Sequence, residues 1–98
     1  MASGQIRMTP DMMRDRADQY RTEGENLQGV IDKMDSLLDQ LLTEWEGAAA
    51  EAYNEKFEEL RPGFVKAKEL IDEIAQSLDK TANTIEETDA NIASAYRA

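Results

Sequence analysis

Trp45-Glu46-Gly47 interrupts a nearly continuous helical pattern close to the middle of this 98-residue chain. Upstream, apolar or small residues recur at alternating steps of three and four from Met13 to Trp45. Downstream, the same spacing resumes at Ala50 and continues to Ile92. Such spacing keeps one stripe of each helix turned toward a neighbouring helix. Two arrays joined by a short segment that contains glycine predict a helical hairpin.

Local signals around this segment set the expected boundaries. Thr9-Pro10 is a favourable helix start, because threonine caps a free amide and proline fits the first helical position. We predict a single domain over residues 1–98, with helix 1 at about 10–44, a bend at 45–47 and helix 2 at about 48–93. The apolar spacing passes unshifted through Pro62, so we predict a kink there rather than a turn between two helices.

Composition excludes several classes of function. The chain has 21 acidic and 11 basic residues, no cysteine and no histidine. A net charge of −10 disfavours nucleic acid and anionic membrane surfaces, because both would repel it. Neighbouring carboxylates such as Glu58 and Glu59 point in different directions from a helix and do not converge on a metal. We therefore predict no enzyme activity, and we assign no catalytic residue, no cofactor and no metal site.

Sorting signals of the usual kinds are missing from the sequence. The first ten residues lack the apolar segment of a signal peptide. No apolar run approaches the ~20 residues that span a bilayer. By ordinary sorting rules the chain is expected to be a soluble protein of the cytosol.

The apolar stripe is wider than a two-helix hairpin can bury. A second hairpin would cover it, so we predict an all-α fold in which helix-turn-helix hairpins dimerise into an antiparallel four-helix bundle. Residues 23–60 carry most of the negative charge, and antiparallel docking would separate the two acidic bends. The predicted seam residues are Tyr20, Leu27, Ile31, Leu38, Leu41, Phe57, Leu60, Phe64, Ile71, Ile74 and Leu78.

The two helices also differ in length. With the bend centred near 46, position i of helix 1 should face roughly position 93 − i of helix 2. The apolar pattern from about Ile85 onward would then have no facing helix in its own chain. At the bend, Trp45 is expected to pack partly against helix 2 and partly face a partner, and Gly47 is expected to permit the chain reversal.

A chain of this length with Trp45-x-Gly47 between two amphipathic helices resembles the WXG family of type VII secretion substrates, also called Esx-type proteins. Its tail is similar to that of members from low-GC Gram-positive bacteria, because Ile85, Asp89, Ile92 and Tyr96 share one helix face. The resemblance implies synthesis in the cytoplasm and secretion without a cleaved signal peptide. It also implies a homodimer or a pair with a sibling, recognition by the secretion ATPase and its machinery, and a role in virulence.

On this basis Trp45, Gly47 and the four tail residues are predicted to form a two-part secretion signal, shared between the chains of an antiparallel dimer. Two other functions remain open from the sequence. One is a membrane-active, pore-forming effector that inserts its amphipathic helices, against which the net charge weighs. The other is an adaptor or chaperone partner of a larger toxin that carries a similar hairpin.

Overall fold

The computed structural model describes residues 8–97, which form two α-helices joined by a three-residue bend. Helix α1 spans Pro10–Glu44 and helix α2 spans Ala48–Arg97. Residues 8–97 contain no strand, and the predicted all-α hairpin is confirmed. Helix α2 continues through Pro62 as one element and extends beyond position 93. The expected absence of a signal peptide falls mostly on residues outside this range.

Both ends of α1 are capped by the residues next to it. The hydroxyl of Thr9 accepts a hydrogen bond from the Met12 amide at 3.1 Å, and Pro10 occupies the first turn, where no amide partner is needed. At the other end, Trp45 adopts an extended conformation while its amide donates to the Leu41 carbonyl at 2.9 Å. The helix therefore ends at Glu44, and the tryptophan caps it.

Gly47 makes the chain reversal possible, but as the start of α2 rather than as the cap of α1. Its φ angle is +109°, a conformation that costs residues with a side chain about 1–2 kcal/mol. Its carbonyl accepts the first hydrogen bond of α2, from the Glu51 amide at 3.2 Å. Trp45 is extended and continues the chain away from α1. The positive φ angle of Gly47 therefore provides the change of direction into α2.

The hairpin is a thin rod with overall dimensions of 77 × 31 × 17 Å. Its length is that of α2, since 50 helical residues rise about 75 Å. Its smallest dimension is that of a single layer of helices. A single layer cannot enclose a core, so one broad side of each helix remains uncovered.

The observed register is shifted from the one counted from the bend. Arg14 pairs with Glu86 and donates to Asn83 at 2.7 Å, whereas counting from the bend predicts a partner at about 79. Side chains lean toward the N-terminus of their own helix. In two antiparallel helices, a side chain of α1 therefore meets a residue of α2 that lies several positions later in the sequence than the residue at the level of its own Cα atom. Pairing within the chain therefore reaches Glu86, and the unpaired overhang begins after it rather than at Ile85.

The seam between the helices is built largely from small residues. In α1 the fully covered positions are Ala17, Gly24 and Ile31, spaced by seven, and in α2 they include Ala75 and Ala82. A Cβ atom on Gly24 would lie 2.9 Å from the Asp72 carboxylate and 3.4 Å from Ile71, so the missing side chain permits this approach. Ile31 is the only large side chain that is fully buried within the described residues.

Candidate functional site

The hairpin has two unlike faces, and their positions follow from helical geometry. In α1, apolar residues follow each seam position by three: Tyr20 follows Ala17, and Met34 follows Ile31. Three residues are about 60° short of a full turn, so these side chains lie beside the seam. Val30 precedes a seam position by one residue and lies on the same side.

The same offsets occur in α2. Leu78 follows Ala75 by three, and Ile74 precedes Ala75 by one. Because the helices run in opposite directions, equal offsets measured along each chain place both sets on the same side of the hairpin. We call this side the apolar face. It comprises Tyr20, Leu27, Val30, Met34, Leu37 and Leu41 of α1 with Tyr53, Phe57, Leu60, Phe64, Ile71, Ile74 and Leu78 of α2.

Near the bend, the apolar face contains a groove between the two helices. The groove has a volume of about 230 Å³. Its lining residues are Met34, Leu37, Leu38, Leu41, Tyr53 and Phe57. All six side chains are apolar or aromatic and come from both helices. The groove shows directly that the exposed side chains of α1 and α2 share one side of the molecule.

The opposite side, which we call the ion-paired face, is closed by salt bridges between the helices. Arg14 and Arg21 precede the seam positions Ala17 and Gly24 by three, and they pair with Glu86 and Asp79 of α2. Closer to the bend, Arg61 binds Asp35 through two hydrogen bonds of 3.0 and 2.9 Å. This two-bond geometry is the stronger kind of arginine–carboxylate pairing.

These ion pairs change the titration of their carboxylates. Hydrogen bonds from Arg61 lower the pKa of the Asp35 carboxyl below its usual value, against a smaller opposing effect of desolvation. The hydrogen bond from Arg14 lowers the pKa of Glu86 in the same way. Both carboxylates are therefore charged at neutral pH, and the ion-paired face is satisfied within one chain.

At the bend, Trp45 packs against the first turns of α2. Its ring centroid lies 5.5 Å from that of Tyr53, with the planes tilted by 48°, a favourable aromatic geometry. The indole nevertheless remains 38 % exposed. The tryptophan is thus partly held by its own chain and partly open, next to the exposed backbone of Gly47.

The tail residues lie at the other end of the rod. Ile85 is half-buried beside the last paired turn, whereas Asp89 is exposed, Ile92 is 52 % exposed and Tyr96 is 88 % exposed. These four residues follow one side of α2, and the last three extend past the end of α1. Within one chain the bend and the tail are not brought together.

The predicted seam separates into three groups in the structure. Ile31 is buried between the helices. A second group is half-buried at the edge of the seam: Leu27, Leu38, Leu41, Phe57, Ile71 and Leu78. A third group is exposed on the apolar face: Tyr20, Leu60, Phe64 and Ile74.

Sequence reasoning missed the alanines that α2 contributes to the seam between the helices. Ala75 and Ala82 are fully covered, although they lie outside the predicted seam of large residues. The signal available was their spacing of seven, which matches Ala17 and Gly24 in α1. Small residues facing small residues bring two helices close together, and the large apolar residues are then displaced to one side.

The exposed area is large for a chain of this mass. The accessible surface is 7477 Å², whereas a compact monomer of 11.0 kDa is expected to expose about 5,600 Å². The excess of roughly 1,900 Å² is more than one partner contributes to a standard protein interface, about 800 Å². The rod shape therefore leaves an unusually large surface open, and the apolar face is part of that surface.

Across residues 8–97 there is no cluster of three or more acidic side chains that could hold a metal ion. None of the described helices is both long enough and apolar enough to cross a membrane.

Fold and surface together define a class of small helical hairpins that leave one face uncovered. Comparison with known proteins identifies the family: residues 5–90 match the WXG100 model, described as proteins of 100 residues with WXG. The chain belongs to the WXG100 family. In this chain the tryptophan and glycine of that description are Trp45 and Gly47.

Three similar proteins span nearly the whole chain. YukE of Bacillus subtilis (strain 168) is 39% identical over 95 residues, covering 97% of this chain and 98% of that protein. The crystal structure of Geobacillus thermodenitrificans EsxA is 39% identical, covers 92% of this chain and 99% of its own, and has a TM-score of 0.80. A protein of Staphylococcus aureus (strain USA300) named type VII secretion system extracellular protein A is 25% identical over 91 residues, covering 93% and 94% of the two chains.

Proposed function

We propose that this chain is a non-enzymatic interaction protein that is exported by a type VII secretion system and works as an antiparallel dimer. Membership of the WXG100 family and similarity to a protein named for type VII secretion support the export route. Synthesis in the cytoplasm and export without a cleaved signal peptide are part of the proposal. The partners are a second copy or a sibling chain, and the secretion ATPase.

The observation that carries the proposal is the separation of the two predicted halves of the signal. Trp45 and Gly47 lie at the bend, and Ile92 and Tyr96 lie beyond the open end of the hairpin. Ile92 is 44 residues after the start of α2, which corresponds to about 66 Å along the helix. A receptor could read both parts in one place only if a second chain supplied one of them.

Antiparallel association supplies that second part. When two hairpins dock head to tail by their apolar faces, the bend of each lies beside the open end of the other. Trp45 and Gly47 of one chain then come close to the tail of its partner, at both ends of the bundle. The charge distribution favours the same arrangement, because residues 23–60 contain eleven acidic and two basic residues, whereas residues 1–22 carry a net charge of +1.

The proposal predicts that either half can be damaged without loss of the dimer. Trp45→Ala removes the exposed indole, and Ile92→Asp places a charge on the exposed tail. Both variants should keep a mass of about twice 11.0 kDa in solution and should fail to appear in the culture medium. Asn91→Asp is the matched control, since it adds the same charge to the neighbouring position on another side of α2. Normal secretion of both damaged variants would contradict the proposal.

Coexpression distinguishes a signal shared between chains from one carried by each chain. In a mixed antiparallel dimer of Trp45→Ala with Ile92→Asp, both changes fall at one end of the bundle. The other end combines the intact bend of one chain with the intact tail of its partner. Secretion of both tagged variants should therefore be restored when they are coexpressed. Continued failure would show that both parts are needed within the same chain.

A further inference from the structure

The groove near the bend lies between the two helices on the apolar face, and all of its lining side chains are apolar or aromatic. In the open half of the hairpin the inner positions are Ala17 and Gly24 opposite Ala75 and Ala82, which let the helices approach closely. Toward the bend the groove is lined by larger side chains from both helices, among them Leu38 and Phe57. The space of about 230 Å³ that results is open to one side, so a side chain from outside can enter it.

Tyr20 is the aromatic residue on the apolar face of α1, at the opposite half of the hairpin. Its side chain is 41% exposed and projects from the same side as the groove. It is flanked on that side by the charged residues Arg16 and Glu23. An exposed tyrosine surrounded by polar neighbours is typical of a residue that anchors an interface, because its ring offers a large contact area at low cost in side-chain entropy.

In an antiparallel pair, Tyr20 comes level with the end of the groove that lies farther from the bend. Tyr20 is ten residues after Pro10, so it lies about 15 Å from the open end. The groove residues of α1 lie three to ten residues before Glu44, which corresponds to about 5–15 Å from the bend. If the copies overlap along the full length of α1, the tyrosine of one copy faces the groove of the other. Its lean toward the N-terminus directs the ring further toward the partner's bend.

Two observations indicate a second copy as the occupant. The exposed surface exceeds that of a compact monomer by more than the roughly 800 Å² that each partner of a standard interface buries, so the chain has enough surface for a dimer. In addition, Arg16 lies on the same side as Tyr20 and would approach the partner's bend, where Glu44 and Glu46 lie. A parallel pair would instead bring Tyr20 of one chain to the level of Tyr20 of the other, and it would bring the two acidic bends together.

We propose that Tyr20 of one copy inserts into the groove of its partner, and that the two-fold symmetry of the dimer repeats this contact at the other end. The ring is covered by Leu37, Leu41 and Phe57 of the partner, and the hydroxyl stays at the rim. This inference rests on the proposed antiparallel dimer and specifies its register. It makes Tyr20 the residue on which self-association depends most strongly in the open half of α1.

Cysteine cross-linking tests the register directly, because the chain contains no cysteine of its own. We expect that an equimolar mixture of Tyr20→Cys and Leu37→Cys chains forms a disulfide between the two variants under mild oxidation. Neither variant should cross-link to itself, since two copies of position 20 lie about 22 Å apart in this register. Gln28→Cys, on the ion-paired face, serves as the control partner and should not react with Tyr20→Cys.

The outcomes separate this inference from the proposed function. A disulfide between two Tyr20→Cys chains would show parallel docking and overturn both the inference and the shared signal. A stable dimer that gives no disulfide between positions 20 and 37 would overturn the inference and leave the dimer intact. A mass of 11.0 kDa for the unmodified chain at every concentration would overturn both.

Affinity gives a second, independent measurement. Removing an anchoring tyrosine costs at least about 2 kcal/mol, so Tyr20→Ala should raise the dissociation constant of the dimer on the order of thirtyfold or more. Tyr20→Phe keeps the ring and should remain within about threefold of the parent chain. Equal dissociation constants for the alanine variant and the parent chain, measured by sedimentation, would overturn the inference.

Discussion

The two faces of the hairpin differ in whether one chain can cover them. On the ion-paired face, Arg14, Arg21 and Arg61 bind carboxylates of the opposite helix, so the polar groups there are satisfied by the chain itself. On the apolar face, residues such as Leu60 and Ile74 are about half exposed and have no covering helix. The difference shows where folding of one chain stops, and in our proposal association with a second hairpin covers the remaining face.

The largest effect on association is expected from a charge on the apolar face. Ile74→Asp would place a carboxylate in the middle of the proposed interface, and burying it unpaired costs several kcal/mol. We expect the dimer dissociation constant to rise on the order of a hundredfold or more, which corresponds to about 2.7 kcal/mol. Sedimentation equilibrium measures it. Gln76→Asp adds the same charge two residues away, on the other face, and should leave the dimer unchanged.

A change in the seam should affect folding rather than association alone. Ile31 is fully buried, and truncating such a side chain to alanine costs about 2–5 kcal/mol. Ile31→Ala should lower the free energy of unfolding by that amount, measured by urea titration. Both chains are compared at one protein concentration, because dissociation of a dimer is coupled to its unfolding. Lys33→Ala, at an exposed position of the same helix, should change it by less than about 0.5 kcal/mol. Equal effects of the two substitutions would show that the seam does not hold the hairpin together.

Substitutions at two glycines of α1 are expected to have effects of intermediate size on the free energy of unfolding. A side chain at Gly24 would meet Asp72 and Ile71 of α2, whereas nothing lies within 4 Å of the corresponding position at Gly29. Gly24→Leu should therefore destabilise the hairpin by about 1–3 kcal/mol through overpacking. Gly29→Ala should stabilise it by up to about 1 kcal/mol through helix propensity. Thermal unfolding followed by circular dichroism distinguishes the two signs, and stabilisation by both substitutions would contradict the close approach at Gly24.

The smallest effect is expected on the ion-paired face and depends on pH. The pKa of Asp35 is lowered in the folded chain by Arg61. The stabilisation that this pair provides is therefore present above the unfolded pKa, about 4, and is lost as the pH falls through the folded value. Asp35→Asn should reduce the loss of stability between pH 5 and pH 3, about the range in which such a carboxylate titrates. Urea titrations of both chains at several pH values measure it, and identical pH profiles would contradict a role for this carboxylate.

The hairpin could be predicted from sequence because several independent signals agree at each of its parts. The spacing of apolar residues indicates two helices, Thr9-Pro10 indicates a start, and Gly47 indicates a reversal. The details that could not be predicted depend on three-dimensional packing. Counting from the bend ignores the lean of side chains, so it placed the partner of Arg14 too close to the bend.

The alanines that α2 contributes to the seam were missed for a similar reason. Large apolar residues dominate the sequence pattern, so Phe57 and Leu78 were assigned to the seam and the alanines were not. In the structure, Ala75 and Ala82 occupy the seam because they allow the closest approach to α1. The exposure of Tyr96 follows only from the observed length of α1, which ends the pairing before the tail begins.

The start of α1 and the end of α2 both lie at the open end of the hairpin, and this has a mechanical consequence. A force applied along the tail of α2 would load the turn next to Arg14 and Glu86 first, then the turn at Arg21 and Asp79, and the bend last. The contacts would break one after another instead of sharing the load. With α1 held in place, each step would separate about one covered seam residue and one ion pair, so the two helices would come apart in small steps.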